Sequence, residues 1–440
     1  MKYLILFILC LFSHISLAQE APAINALATA TEDVETFDDK EFKEWVEDFK
    51  KTAVKKYKIK QSIVDEAFRD IKYEPKIINY DRKQPEFMKT FWNYYDSALK
   101  PERVANGKIK LKQNAKLFYS VAEKYNVQPQ ILIAFWGMET NYGKYMGNHS
   151  IIPALITLAF DPRRSDFFTS ELIKALQIVN AGHISIKSLK GSWAGAFGNF
   201  QFMPSTFMAY AVDGNGDGKI DLINNLEDAV NSAANYLSKM GWNGKYKWGR
   251  PVLVDKKDKN VWQYVNSNEW KDVNFFKSLG VKKYDGSPLP SSDISASLIA
   301  PDGVNGPVFL VYNNFKYIMR WNFSTNYALS IGLLSDAIVS NSTPLFDRPA
   351  NWDKIKPMTT NQIKEIQEKL AKLDIYNAKI SGLYGKLTMK AIKKYQNMLL
   401  DGDKDVSPTG EEITTYKSGN PIIPDGYPSF DLYEMLIDKK

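Results

Sequence analysis

The sequence predicts a mainly α-helical protein in two parts: a large helical domain with a small β element, then a small three-helix unit at the C-terminus. Three observations carry this. Apolar residues recur three and four apart through most of the chain, the period of a helix with one buried face. Only two short runs, Val308–Tyr312 and Tyr317–Trp321, read as strands. Pro344, Pro349 and Pro357 break a stretch without apolar period, 341–357, before helical periodicity resumes. The length agrees, because 440 residues exceed what one ordinary core encloses. With 44% hydrophobic and 24% charged residues, the composition is that of an ordinary soluble globular chain.

In chain order, Met1-Lys2 and the apolar run Tyr3–Phe12 precede the small residues Ser16-Leu17-Ala18. This reads as a secretory signal, residues 1–18, removed after Ala18. Cys10 follows Leu9 and not a small residue, so a lipid anchor is not expected. It is also the single cysteine, which leaves the mature chain without a disulfide, a thiol nucleophile or a thiolate metal site. Residues 19–36 are Ala-, Thr- and Glu-rich and read as a flexible tether. A net charge of +7 without a dense Lys/Arg block gives no nucleic-acid footprint. His14 leaves with the signal, so His149 and His183 remain. Ser-His-Asp chemistry and a multi-histidine zinc site are therefore poorly supported, and carboxylates are left as the acid–base groups.

Phe42, Trp45, Phe49 and Ala53 share one helical face, as do Ile63, Ala67, Phe68 and Ile71. An aromatic helix follows with Phe91, Trp92, Tyr94 and Tyr95. The segment 129–143 stands apart. Pro129 suits a first helical turn, Ile131–Met138 is apolar all round, and Gly143 lies where a helix stops. A helix without a polar face belongs in a core. Glu139 closes the run, and apolar surroundings raise a carboxyl's pKa toward the range of a general acid at neutral pH. The competing reading is a helix-end Glu turned to solvent. Another apolar run, 152–160, ends at Asp161-Pro162-Arg163-Arg164, and Phe167, Phe168, Leu172, Leu176 and Val179 follow at helical spacing.

Residues 191–205 hold Gly191, Gly195 and Gly198, which suit a tight, substrate-lining loop. Asp213-Gly214-Asn215-Gly216-Asp217-Gly218-Lys219-Ile220-Asp221 matches the start of an EF-hand loop, whose oxygens wrap a hard cation. Asn224 stands where that loop usually has a bidentate Glu, so Glu227 or Asp228 must supply the late carboxylate. The competing reading is a solvated Asn/Gly/Asp turn. Helices are expected over 229–242 and 326–338, with mixed Lys/Asp-rich chain over 251–300. In the tail, Ile363, Ile366, Leu370 and Leu373 make one helix face, and Thr388, Ala391, Ile392, Tyr395 and Leu399 a second. Ser429 can cap a third helix carrying Leu432 and Leu436.

Taken in order, the segments 135–143, Asp161-Pro162-Arg163-Arg164, Gly198-Asn199-Phe200-Gln201-Phe202-Met203-Pro204-Ser205, the Asp213 loop and Arg320–Ala328 resemble the lytic murein transglycosylase B family. The tail resembles the peptidoglycan-binding type 1 domain through Ile366-Gln367, Gly382-Leu383-Tyr384-Gly385, Thr388, Ala391-Ile392 and Tyr395-Gln396, with 401–423 as an insertion. The resemblance implies a goose-lysozyme-like catalytic domain over 37–342, a linker over 343–357 and a peptidoglycan-binding domain over 358–440. It implies that Glu139 is the single catalytic acid/base. Ser192 and Gln201 would line the cleft beside it, and Tyr94, Asn322 and Tyr327 would surround the scissile bond. Arg163 and Arg164 would face the peptide stems. Asp213, Asn215, Asp217, the Lys219 carbonyl and Asp228 would hold a structural Ca²⁺ or Na⁺, and no cofactor is expected for catalysis.

Ordinary glycosidases need two carboxylates. The resemblance implies cleavage of the MurNAc-β-1,4-GlcNAc bond with one, the MurNAc 6-hydroxyl closing a 1,6-anhydro ring. Two alternatives stay open at this point: a hydrolytic muramidase, and a non-catalytic peptidoglycan-binding protein. The expected partner is the peptidoglycan glycan strand in the periplasm, not nucleic acid. Protein partners from cell-wall synthesis or division are left unspecified, and a monomer is expected.

Overall fold

The computed structural model describes residues 38–82, 90–340, 346, 348, 357–407 and 409–437. The expected signal peptide, the 19–36 tether and most of the 343–357 linker lie outside the described residues.

The helical domain begins with α1 (Asp39–Lys55), α2 (Gln61–Ala67), α3 (Pro75–Arg82), α4 (Phe91–Ala98), α5 (Pro101–Gln113) and α6 (Ala115–Tyr125). Then come α7 (Pro129–Thr140), β1 (His149–Ser150), α8 (Ile151–Phe160), α9 (Ser165–Asn180), β2 (Lys190–Gly191), α10 (Pro204–Tyr210) and α11 (Leu226–Met240). Local signals set these ends. Asp38 caps α1 by accepting from the Lys40 N–H at 2.7 Å, and Thr90 and Asn93 form a capping box on α4. The apolar faces of α1, α8 and α9 read from the sequence are the buried ones.

The mixed Lys/Asp-rich chain over 251–300 holds more strand than its sequence shows, and the expected strand Val308–Tyr312 forms beside it. Chain 249–312 builds a five-stranded antiparallel sheet in the order β4-β6-β7-β3-β5. The elements are β3 (Gly249–Leu253), α12 (Lys259–Trp262), β4 (Lys271–Asp272), α13 (Val273–Ser278), β5 (Lys282–Lys283), β6 (Ser295–Ile299) and β7 (Val308–Tyr312). Val252, Trp262, Phe276, Leu298 and Leu310 form a core of their own beneath it. β4 and β5 are two residues each, too short for alternation to stand out in a polar stretch.

The second expected strand is wrong. Tyr317–Trp321 lies in α14 (Asn313–Trp321), where Phe315 and Ile318 are buried three apart on one face. The β-rich residues of this run are helical because Tyr312 ends the sheet and the next turns pack on α15 (Thr325–Val339). Tertiary packing overrides strand propensity here.

α7 explains its own sequence. It is enclosed by α5, α6, α11 and α15, so no face reaches water from Ile131 to Gly137. The helix stops two residues before Gly143, at Asn141, which takes a left-handed φ of 50°. Tyr142 continues in that conformation at φ 62°, and its phenol donates to the Arg103 carbonyl at 2.8 Å. Gly137 sits mid-helix because a Cβ there would lie 2.7 Å from the Tyr142 ring.

The C-terminal unit is α16 (Thr360–Lys372), α17 (Lys386–Leu400) and α18 (Phe430–Ile437) around Ile366, Ile392, Tyr395 and Leu432. The Ser429 hydroxyl accepts from the Leu432 N–H at 3.2 Å, the cap read from the sequence. This unit is docked against the sheet. Lys393 Nζ donates to the carbonyls of Trp262 at 2.9 Å and Gln263 at 2.8 Å, and also to that of Val265. The buried Asp425 carboxylate accepts from the Val304 N–H at 2.9 Å, and Ile423 enters the sheet's core. The 401–423 insertion thus leads into the residues that dock the unit. From the linker, Phe346 is buried against Tyr95, 5.4 Å between ring centroids, and Phe309, 5.5 Å.

Candidate active site

α7 and α14 bring Glu139 and its hydrogen-bond partners together. Glu139 lies in the last turn of α7, and α14 ends at Trp321 beside it. The Trp321 indole Nε1–H donates to Glu139 Oε1 at 3.0 Å. The Tyr327 hydroxyl, in the first turn of α15, donates to the same oxygen. Among the described residues no hydrogen bond reaches Oε2. Burial pushes the Glu139 carboxyl up to about 7, while the two donors pull the other way. Burial, and then the Glu139 charge, holds the Tyr327 phenol well above its ordinary value, so it stays a donor.

The floor of the site is aromatic. Phe135 packs on the Trp321 ring at 4.4 Å between centroids, and Tyr236 meets it edge-on at 4.9 Å. Tyr94 lies near enough to Tyr327 to raise its phenol pKa further. Asn322 follows Trp321 directly and is exposed. Glu171, another buried carboxylate of the domain, is used structurally: it accepts the Ser205 N–H at 2.8 Å at the start of α10.

Ser192 and Gln201 sit on the glycine-rich loop and not on Glu139 itself. The Ser192 hydroxyl accepts from the Ala196 N–H at 3.0 Å. Gln201 Nε2 donates to the Met146 carbonyl at 3.0 Å and the Gly198 carbonyl at 3.0 Å. Asn199, between them, is the joint. It accepts the Trp136 indole N–H at 2.9 Å, and its carbonyl accepts the Thr140 hydroxyl at 2.9 Å. Its amide donates to the Leu222 and Ile223 carbonyls, both at 3.0 Å. One buried side chain therefore ties α7 to the loop and to the end of the Asp213 segment.

Arg163 and Arg164 both turn their guanidinium groups onto the buried Asp81 of α3. Arg82 pairs with Asp161 at 3.0 Å. Arg164 also stacks over Phe168 at 4.7 Å. Three guanidinium groups thus meet two carboxylates.

In the Asp213 segment the donors are oxygens, as a hard cation requires. Asp228 is fully buried, and its carboxylate accepts from the Gly214 N–H at 2.8 Å and the Asp221 N–H at 2.8 Å, closing the loop at its base. Asp213 accepts from the Gly216 N–H at 2.7 Å and the Gly218 N–H at 2.8 Å, and Asp217 from the Lys219 N–H at 2.8 Å. With the carboxylates turned onto their own loop, no three His, Cys, Asp or Glu side chains converge among the described residues. The donor chemistry fits a hard cation.

Sequence reasoning missed Trp321 and Asn199 as site-building residues. Trp321 stood inside a quoted motif, but a sequence gives no sign of where an indole N–H points. Asn199 could have been found as the lone polar side chain between Gly198 and Phe200.

The domain that encloses this acid has the helical, lysozyme-like fold of a glycan-cleaving enzyme. The Transglycosylase SLT domain family matches residues 41–336, and a peptidoglycan binding domain family matches residues 359–399. The chain belongs to the SLT-domain transglycosylases. Membrane-bound lytic murein transglycosylase B of Escherichia coli strain K12 is 33% identical over 257 residues, 56% of this chain and 66% of that protein, so the match spans just under two thirds of the relative. SltB3 from Pseudomonas aeruginosa, solved in complex with NAG-anhNAM-pentapeptide, superposes at a TM-score of 0.80 with 35% identity, covering 90% of this chain and 99% of that one. The Escherichia coli lytic transglycosylase Slt35 in complex with calcium gives a TM-score of 0.57 at 29% identity, over 67% of this chain and 92% of that one.

Proposed function

We propose that this chain is a peptidoglycan lytic transglycosylase that cleaves the MurNAc-β-1,4-GlcNAc bond and leaves 1,6-anhydro-MurNAc ends. The observation that carries the reading is Glu139: an acid raised to about 7 by burial, with one oxygen gripped and the other open. Protonated, it gives its proton to the leaving oxygen as the C1–O4 bond breaks. The substrate's 2-acetamido group stabilises the cationic C1. The carboxylate then takes the proton of the 6-hydroxyl as O6 bonds to C1. One proton leaves Glu139 and one returns, and no water is consumed. The SltB3 complex with an anhydro-sugar ligand supports this reading over hydrolysis.

Around that step, Tyr94, Asn322, Ser192 and Gln201 would line the cleft for the sugars. Arg163 and Arg164 would face the peptide stems, their guanidinium groups held in place by Asp81. Asp213, Asn215, Asp217, the Lys219 carbonyl and Asp228 would hold Ca²⁺ or Na⁺ as a structural ion, supported by the calcium complex of Slt35. The work site is the periplasm, reached through the signal in residues 1–18; among the described residues no helix is long and apolar enough to cross a membrane. Residues 358–440 would hold the polymer.

Mass spectrometry of muropeptides released from purified sacculi tests the reading. Anhydro products, lighter than hydrolysed ones by one water, are expected. Products with only free reducing ends would make the protein a muramidase.

A further inference from the structure

The two oxygens of Glu139 are not equivalent. Oε1 faces two donors, the Trp321 indole at 3.0 Å and the Tyr327 phenol, and Oε2 faces none among the described residues. An oxygen that already accepts two hydrogen bonds cannot also carry a proton without setting hydrogens against each other. A phenol can turn and accept, but an indole N–H is a donor only. The direction of that N–H is also fixed. The Trp321 ring is held between Phe135 at 4.4 Å, Tyr236 at 4.9 Å and Phe202 at 5.5 Å between centroids.

We propose that Trp321 is a positioning residue that reserves Glu139 Oε1 as the unprotonated oxygen, so that Oε2 alone delivers the proton to the leaving group and receives it from the 6-hydroxyl. The inference rests on the acid/base reading of Glu139. Its consequence is geometric. A carboxyl with a free choice of oxygen would present its proton in two directions and lose alignment in one of them. A carboxyl with one oxygen blocked presents it in one direction, toward the open side of the site. The same N–H favours the carboxylate, which limits how far burial raises the group. Tyr327 adds to both effects, but only Trp321 enforces the choice of oxygen.

The test replaces the N–H and keeps the ring. Trp321 exchanged for β-(3-benzothienyl)alanine carries sulfur where the N–H was, and Trp321→Phe provides a genetically encoded second variant. The readout is kcat against pH on soluble glycan fragments, with the melting temperature as a control for packing. Loss of the donor destabilises the carboxylate, so the descending alkaline limb is expected to move upward by about one pH unit. On that limb's acid side kcat is expected to fall on the order of tenfold, with KM little changed. Tyr327→Phe is expected to move the limb in the same direction. A ¹³C titration of carboxyl-labelled Glu139 reads the same shift without turnover. A limb and a titration unmoved in the benzothienyl protein overturn the proposal, as does a downward shift. Full activity of Glu139→Gln would instead overturn the acid/base reading itself, and the two failures are distinct.

Discussion

On the proposed acid/base reading, Glu139 makes stability and activity pull in opposite directions. Burial raises its carboxyl from 4.5 to about 7, so between those values the folded protein holds a proton that the unfolded chain has lost. Stability therefore falls as pH rises through this window, and the full cost is present above the folded value. Glu139→Gln removes the cost. Its melting temperature is expected to match wild type near pH 4 and to exceed it at pH 8, a difference on the order of 2 kcal/mol. Turnover is expected to fall by about a hundredfold to ten-thousandfold, since Gln cannot shuttle a proton and Glu171 is committed to Ser205. Calorimetry at the two pH values, beside muropeptide release, checks both. A Gln variant that melts below wild type at pH 8 would contradict the burial argument.

At the scale of elements, α7 is useful only because neighbouring segments hold its end. Asn199 does much of this through its hydrogen bonds to Trp136, Leu222 and Ile223. Asn199→Ala leaves the buried Trp136 N–H and the Ile223 carbonyl without this partner, while the Leu222 carbonyl keeps the backbone N–H of residue 199. A loss of roughly 2–4 kcal/mol in unfolding free energy is expected from denaturant titration. The Asp213 loop is held at its base by Asp228, at the first turn of α11. If it binds calcium, adding the ion should raise the melting temperature of metal-free wild type by mass action, and Asp213→Ala with Asp217→Ala should abolish the rise. A wild-type melting temperature indifferent to calcium and EDTA would remove the ion from the site.

For the whole molecule, the C-terminal unit is seated and not merely tethered. Asp302, on the sheet side, is the shared contact: it accepts the Trp92 indole N–H at 2.8 Å and a hydrogen bond from Tyr427. Trp92 lies on α4, which also carries Tyr94, the neighbour of Tyr327, so the docked unit and the surroundings of Glu139 share one helix. A chain ending near Ser342 is expected to cleave soluble fragments yet bind sacculi less, because two linked sites raise effective concentration on a polymer. It should also melt lower, because the seats of Lys393, Ile423 and Asp425 are opened to water. Sacculus pull-down and a thermal scan of the same preparation measure both. Equal sacculus binding would remove the polymer-holding role.

The sequence by itself determined the helices and the acid. The all-apolar turns of α7, the amphipathic faces of α1, α9, α16 and α17, and Glu139 at the end of an apolar helix were legible because burial writes itself into the residues. Of the sheet it showed only Val308–Tyr312, and it misassigned Tyr317–Trp321. The two-residue strands β4 and β5 leave no alternation to read, and aromatics serve helix and strand alike until a neighbour chooses. Nor could it place Trp321 Nε1 on Oε1 of Glu139, or turn Arg163 and Arg164 onto Asp81. Those contacts join residues far apart in the chain, and only the packing of α3, α7 and α14 decides where a donor meets its acceptor.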